Sequence, residues 1–510
     1  MRNFLYLNKD WQWPRLKLAH RPIDIRIFII LVFAATIYKC LSKDFSALEV
    51  LCDRAPIYWF PPNWLYNLVS SAQCGIYQEA IDPRSLQLVV AVLLLLCIAF
   101  PKRLLFASAF LALLVLDTSG FLWRANMWDL DTPLVILFIL IAAPVRLQEA
   151  TAFRNVDNRH SAALGLMIIL FVSAYYFLAF LSKLVFDPAW VLNVNIGNYY
   201  SISTLMHGQQ MPGWLSFFAA PISNLMVQYA ILDDFAALVV LIEQFLWILA
   251  PFILFIRYHA GLFSVAYHLF VFIATGIMFF TWTAIALGIS IPWGRAWDKY
   301  QEWKTGQMVK AHPDGSANTG LANWQWSIVL AVPLAIAFLP PLGYWMPPFY
   351  NYMQFGWRYP SMDEIKTVYS VGRFDRETNE FKRFPLNHGG FIEFRHSNTM
   401  DIYVRSILNN EGSPAITDIR GLQTLLIATR KLDADGWVFG DFRAPDHLVS
   451  ERGTTDMTEV ENFYLLRGTV ISNTENRPAE VRWEACGQVF PERQTAETVE
   501  LYDTCKSTLR

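Results

Sequence analysis

The chain has 510 residues, 54% of them hydrophobic and 16% charged, with a formal net charge of −2. A mean hydropathy of +0.30 excludes a disordered chain and argues against an ordinary soluble enzyme. The near-neutral charge gives a nucleic-acid partner no electrostatic support.

Charge is also unevenly spread. Residues 351–510 hold 43 of the 84 Lys, Arg, Asp and Glu residues, and the first 350 hold the other 41. This reads as an α-helical polytopic membrane protein with a C-terminal β-rich extracytoplasmic domain. The expected division is a cytoplasmic segment over 1–22, a transmembrane domain over 23–345 and the outer domain over 346–510.

A spanning helix needs about 20 mostly apolar residues. In chain order the apolar stretches are Ile23–Leu41, Leu86–Leu116, Trp128–Val145, Ala162–Val185, Phe235–Ile256, Leu262–Ile291 and Trp326–Leu342. Pro101-Lys102-Arg103 splits the second into two helices with a tight turn. Leu262–Ile291 is too long for one span, and reads as one full helix plus a second, short or re-entrant one. The sum is about eight or nine transmembrane helices.

Short loops rich in Lys and Arg belong to the cytoplasmic side. Arg2, Lys9, Arg15, Lys17 and Arg21, then Lys102-Arg103, then Arg146, Arg154 and Arg159, then Arg295, Lys299, Lys304 and Lys310 mark that side, whereas 186–234 has no Lys or Arg. The C-terminal domain then lies outside, provided that Leu262–Ile291 crosses and returns. No short apolar stretch with a small-residue cleavage site precedes the first helix, which is expected to act as its own insertion signal. A bacterial inner membrane suits these features. Cys52, Cys74, Cys486 and Cys505 fall on the oxidising side, where disulfides form; Cys40 and Cys97 lie in or near helices and read as inert small hydrophobes. No Cys/His spacing resembles a metal site. Beyond about 355, short alternating runs such as Gly390–Phe394 and Glu461–Leu466, separated by turn-like clusters, read as strands.

Ionisable residues inside spans are costly, so each is a functional hypothesis. Lys183 lies near the outer end of its helix. An ammonium withdrawn from water gives up its proton more readily and can act as a base, whereas the bland alternative is a lysine snorkelling to the surface. His268 either bonds a neighbouring helix or handles a proton or a bound polar group. Glu243 is central in its helix and is a candidate to pair with Arg26 or Lys183, to carry a proton, or to make a structural polar contact. Arg26 is expected to snorkel to cytoplasmic headgroups. The outer loop adds Asp187, Trp190, Tyr199 and His207, as interfacial anchors or as the rim of a flat apolar ligand site. No phosphate-binding loop, nucleophile elbow, zinc-protease or kinase signature is present.

Ser182-Lys183-Leu184 followed by Asp187 and Trp190 resembles a motif of the vitamin K-dependent γ-glutamyl carboxylase family and its bacterial HTTM relatives, with one extra residue in the spacer. His268 followed by Gly276-Ile277-Met278-Phe279 resembles the family's helix with His and a later Gly-Ile/Met-Phe. Phe355–Met362, and Asp375-Arg376-Glu377-Thr378 with Phe384-Pro385-Leu386-Asn387, are similar to the stretch leading into the family's β domain. The resemblance runs from about residue 20 to about 410 and then fades.

It implies the following chemistry. Lys183 deprotonates reduced vitamin K or menaquinol. Oxygenation gives an epoxide and a strong alkoxide base. That base removes a γ-hydrogen from a glutamate of a secreted or periplasmic peptide, and the carbanion captures carbon dioxide. His268 binds the quinone oxygen or supports the Lys183 region; Asp187, Trp190, Glu243, His207 and Tyr199 line the quinone site. One departure stands against this. Where the family carries Asn-His-aromatic, this chain has Asn126-Met127-Trp128, and a thioether cannot replace imidazole as a proton donor. The alternative is therefore a non-catalytic membrane subunit that binds quinone or lipid and docks a partner protein through its outer domain. A transporter is disfavoured, because no internal repeat or paired broken helices are visible.

Overall fold

A computed structural model describes residues 20–42, 81–122, 128–153, 159–186, 188–193, 228–275, 279–305, 322–338, 367–375, 380–383, 463–471, 480–489 and 499–502, with isolated positions between 218 and 226. The described residues are mostly helical. The helices are α1 Pro22–Ser42, α2 Pro83–Ala99, α3 Arg103–Leu122, α4 Trp128–Ala142, α5 Leu147–Ala150, α6 Arg159–Phe186, α7 Trp190–Asn193, α8 Ala230–Leu249, α9 Leu254–Thr275, α10 Phe280–Ser290, α11 Trp293–Thr305 and α12 Asn323–Phe338. Two segments are long and apolar enough to cross a membrane: Arg159–Val185, with 27 residues, and Leu254–Ile273, with 20. Shorter apolar helices occupy α2, α3, α4, α10 and α12.

Local chemistry sets the boundaries. Asp82 caps α2, accepting from Ser85 N at 2.9 Å and Ser85 Oγ at 2.5 Å, with Pro83 at the first helical position. The Ser85 hydroxyl and amide hold its carboxyl below the usual carboxylate range. The expected turn at Pro101-Lys102-Arg103 separates α2 from α3. The expected Phe235–Ile256 stretch differs: α8 ends at Leu249, and Pro251 sits in the turn before α9. Arg257 and its polar neighbours mark a loop in the hydropathy pattern, yet Arg257 is fully buried and its guanidinium donates to Ala250 O at 3.0 Å and Pro251 O at 3.3 Å. It caps the end of α8 from inside α9. The rest of the expected Leu262–Ile291 stretch is the long α9 and the short α10, as the length argument anticipates.

Two more arginines do the same work. Arg26 of α1 donates to Ala99 O at the end of α2, at 3.1 Å, beneath the ring of Phe153. It is buried, so it caps a helix and does not reach for headgroups. Arg103 of α3 donates to Ala143 O and Val145 O, just past α4, at 2.6 and 2.7 Å. In each case a helix start holds the carbonyl end of a neighbour.

One large apolar cluster joins α1, α2, α3, α4, α6 and α10. In α8 the faces are inverted relative to a soluble helix. Ile231, Phe235, Leu238, Ile242 and Phe245 are exposed, whereas Asp233, Glu243 and Gln244 are buried with Ala237, Val240 and Trp247.

Beyond the helices, β1 Thr367–Asp375, β2 Glu380–Arg383, β3 Phe463–Ile471, β4 Glu480–Val489 and β5 Val499–Leu501 form an antiparallel sheet in the order β2-β1-β3-β4-β5. The expected strand at Glu461–Leu466 is the start of β3; that at Gly390–Phe394 lies outside the described residues. Leu465 pairs with Gly487 and Leu466 with Ala485, so Cys486 is the extra residue of a bulge. Cys486 is disulfide-bonded, whereas Cys40 and Cys97 are free and buried.

Candidate functional site

The buried polar residues of α6, α8 and α9 meet in the bundle. Lys183 is 1% exposed. Its ammonium donates to Ala179 O, one turn back in its own helix, at 3.2 Å, and lies 5.2 Å from the centroid of the Trp190 ring. That face supplies a cation–π attraction where water is excluded. The turn after α6 makes this contact possible, because it sends the first residue of α7 back over the helix end. The Trp190 ring in turn packs with Ala237 and Val240 of α8, with Tyr267 of α9 at the edge.

Glu243 lies on the same inward stripe of α8 and interacts electrostatically with Lys183. It is fully buried. Its Oε1 accepts from Trp247 Nε1 at 3.1 Å and from the hydroxyl of Ser264 in α9. The same indole N–H also reaches Ser264 Oγ at 2.7 Å, which closes a three-membered ring of polar contacts. Tyr176, two turns before Lys183, stacks on Trp247 with ring centroids 5.4 Å apart and planes 7° from parallel. Tyr175, Tyr176 and Trp282 continue this aromatic wall toward α10.

Among the described residues, two buried polar atoms here have no hydrogen-bond partner: Glu243 Oε2, an acceptor, and Trp190 Nε1, a donor. Such atoms are costly to leave bare. An acceptor and a donor among aromatic faces suit a flat ligand with polar atoms.

His268 is buried one turn beyond Ser264, on the side of α9 that faces α10. Its ring packs on Tyr267 and Phe279. Thr283 Oγ1 donates to Phe279 O at 2.8 Å, so its hydroxyl proton is committed, and His268 Nδ1 is the donor across the 3.4 Å separation from that oxygen. The second ring nitrogen, Nε2, then carries the lone pair.

The structure thus brings Lys183 and Trp190 together, with Glu243 on the neighbouring α8, whereas His268 contacts Tyr267, Phe279 and Thr283 on the side of α9 that faces α10. Asp187, Tyr199 and His207 lie outside the described residues, as does Met127. Sequence reasoning passed over Tyr176, Trp247 and Ser264. A signal was present: Trp247 lies four residues after Glu243, and Ser264 four before His268, which puts each pair on one helix face. It also passed over Lys39, fully buried in α1 with its ammonium 5.9 Å from the Phe280 ring centroid. Among the described residues no group of three or more His, Cys, Asp or Glu could hold a metal ion.

Compared with known proteins, the chain matches no family model, no curated protein and no solved structure.

Proposed function

We propose that the chain is a polytopic membrane protein that binds a reduced quinone between α6, α8 and α9, with Lys183 as the base that takes a proton from it. The membrane reading is supported by α8, which turns leucine, isoleucine and phenylalanine outward and its carboxylates inward. With α1, α2, α3, α4, α6, α9 and α12 it makes eight full spans, and the short α10 returns the chain to the basic face, where Ile289 meets His20. The arginine caps agree with the proposed sidedness: α1, α3 and α9 begin where α2, α4 and α8 end, at the basic face. The sheet then lies on the opposite, extracytoplasmic side, which the disulfide at Cys486 favours.

The observation that carries the functional reading is the burial of Lys183 against Trp190. A snorkelling lysine would expose its ammonium. Lys183 instead points inward, where an amine can accept a proton in a dry site. Glu243 Oε2 and Trp190 Nε1 would hold and orient the ligand's oxygens, and the Tyr176–Trp247 pair would bound the pocket below. A bound hydroquinone would supply an acidic hydroxyl and reducing equivalents. By resemblance to the vitamin K-dependent carboxylases, the end product is a carboxylated glutamate in a secreted or periplasmic peptide.

The test is to incubate the purified protein with reduced vitamin K or menaquinol, labelled bicarbonate and Glu-rich peptides. The expected result is label in the peptide, reduced on the order of 100-fold or more in Lys183→Ala. No label and no oxidised quinone product, or a Lys183→Ala variant with full activity, overturns the enzyme. Met127 favours a second reading, a subunit that binds quinone or lipid without turnover and docks a partner through its C-terminal region. In that case quinone quenches the tryptophan fluorescence of the protein, but no label is fixed.

A further inference from the structure

Helix α11 is too short and too polar to span a membrane, yet it carries one of the most exposed aromatic surfaces among the described residues. Its 13 residues include Trp293, Trp297, Tyr300 and Trp303. Trp303 is 80% exposed, and Trp297 and Tyr300 are 46% exposed. The rings follow one another, with centroids 5.7 Å apart from Trp297 to Tyr300 and 6.1 Å from Tyr300 to Trp303.

At about 100° per residue, the four aromatics fall within an arc of about 120°. Lys304 lies inside the same arc. Arg295 and Glu302 fall on the opposite side of the helix, and Lys299, one turn before Trp303, borders the aromatic arc. A third face, through Gly294 and Asp298, is docked on the start of α1. Gly294 N donates to Asp24 Oδ1 at 2.6 Å, and Arg21 pairs with Asp298 at 2.6 Å. Gly294 is needed for this approach, because a Cβ there would come within 2.8 Å of Arg21 Cδ. The helix is therefore fixed at the end of the bundle with Trp297, Tyr300 and Trp303 turned away from the protein, whereas the Trp293 indole nitrogen is buried.

We infer that α11 lies in the plane of an anionic membrane leaflet, with its aromatic face in the headgroup layer. Three observations choose a bilayer over a protein partner. Indole and phenol rings, apolar in body and polar at the tip, are the side chains that favour the headgroup region. The helix is basic beside its rings: Lys304 lies inside the aromatic arc and Lys299 borders it. Such a cluster attracts an anionic surface. Finally, α11 is tied to the first turn of α1, a long apolar helix, and so sits at the level where α1 leaves the hydrocarbon. Lys304, at the edge of the aromatic arc, is placed to reach lipid phosphate along its stem. The inference stands whether or not the site at Lys183 binds a quinone.

The test uses the full chain in nanodiscs containing phosphatidylglycerol. A photoactivatable benzoylphenylalanine replaces Trp303 in one variant and Arg295, exposed on the opposite side, in another. Trp303 is exposed, so its replacement leaves the bundle folded; the melting temperature and elution profile check this. Irradiation is expected to give lipid adducts at 303, their loss at 295, and a lower yield at 303 when phosphatidylcholine replaces the anionic lipid. Equal adduct formation at the two positions, cross-links from 303 to protein in place of lipid, or a yield indifferent to lipid charge overturns the proposal.

Discussion

One carboxylate oxygen of Glu243 takes two donors and the other takes none, and the difference decides what each neighbour is for. Trp247 Nε1 is shared between Glu243 Oε1 and Ser264 Oγ, and the Ser264 hydroxyl points at the same oxygen. These bonds hold the carboxylate in one orientation and leave Oε2 bare. Replacing Trp247 with Phe keeps the aromatic stack on Tyr176 but removes the donor. The expected cost is about 1–3 kcal/mol, since a buried charged acceptor loses a bond. Ser264→Ala acts on the same oxygen, so the double variant should depart from additivity by about 0.5–3 kcal/mol. Denaturant unfolding of the single and double variants in detergent measures the coupling. Additive costs would mean that the two donors serve Oε1 independently. The same three residues show why the site was only half legible in the sequence. Lys183, Glu243 and His268 stand out because charge and imidazole are costly in an apolar run. Serine, tyrosine and tryptophan are ordinary in such runs, and only the crossing of α8 with α9 gives them a partner.

At the level of elements, hydropathy located the helices well and their ends less well. The pattern treats every arginine as a sign of water. Arg26, Arg103 and Arg257 sit instead beneath or beside neighbouring chain, where each guanidinium serves carbonyls at the end of another helix. A carbonyl end without a partner is costly, and a buried guanidinium that donates to it offsets part of the larger cost of its own burial. This is why the polar group at Arg257 lies inside α9, and why the break falls at Pro251. Arg103→Met keeps most of the side-chain volume and removes both bonds. It should destabilise the protein by about 2 kcal/mol, because bonds from a charged donor are worth about 1.5–3 kcal/mol. Thermal melting compares it with Arg146→Met, whose side chain is 77% exposed and pairs with Glu149 across solvent; that change should cost about 0–1 kcal/mol. Equal costs for the two would show that Arg103 caps nothing. Strand alternation was legible only where the sheet is regular; the bulge at Cys486 breaks the period that would reveal it.

Across the whole molecule, a buried polar knot joins helices that are far apart in sequence. His20 Nε2 donates to Ile289 O of α10 at 2.9 Å, and His20 O accepts from Ser161 Oγ of α6 at 3.0 Å. Arg21 and Asp24 then bind α11, as described above. Gly165 leaves room for the imidazole, since a Cβ there would collide with the ring. His20 Nδ1 has no partner, so the ring is held neutral in a site that offers a proton no acceptor. Burial, with a smaller repulsion from Arg257, lowers the His20 pKa from 6.5 to about 3. Between these values the unfolded chain binds a proton that the folded chain refuses. The contribution of the knot is therefore complete above pH 6.5 and is lost as pH falls toward about 3. The loss should approach about 1.4 kcal/mol for each pH unit below the unfolded value. Other groups also titrate in this range, so the informative quantity is the difference from His20→Gln, which keeps a donor of similar reach and has no proton to gain. Stability of both proteins in detergent, followed from about pH 7.5 to about pH 5, should show a steeper fall in the wild type. Parallel curves would mean that the imidazole is already solvated in the fold, and that the knot draws its stability from the Arg21–Asp298 and Asp24–Gly294 contacts between the start of α1 and α11.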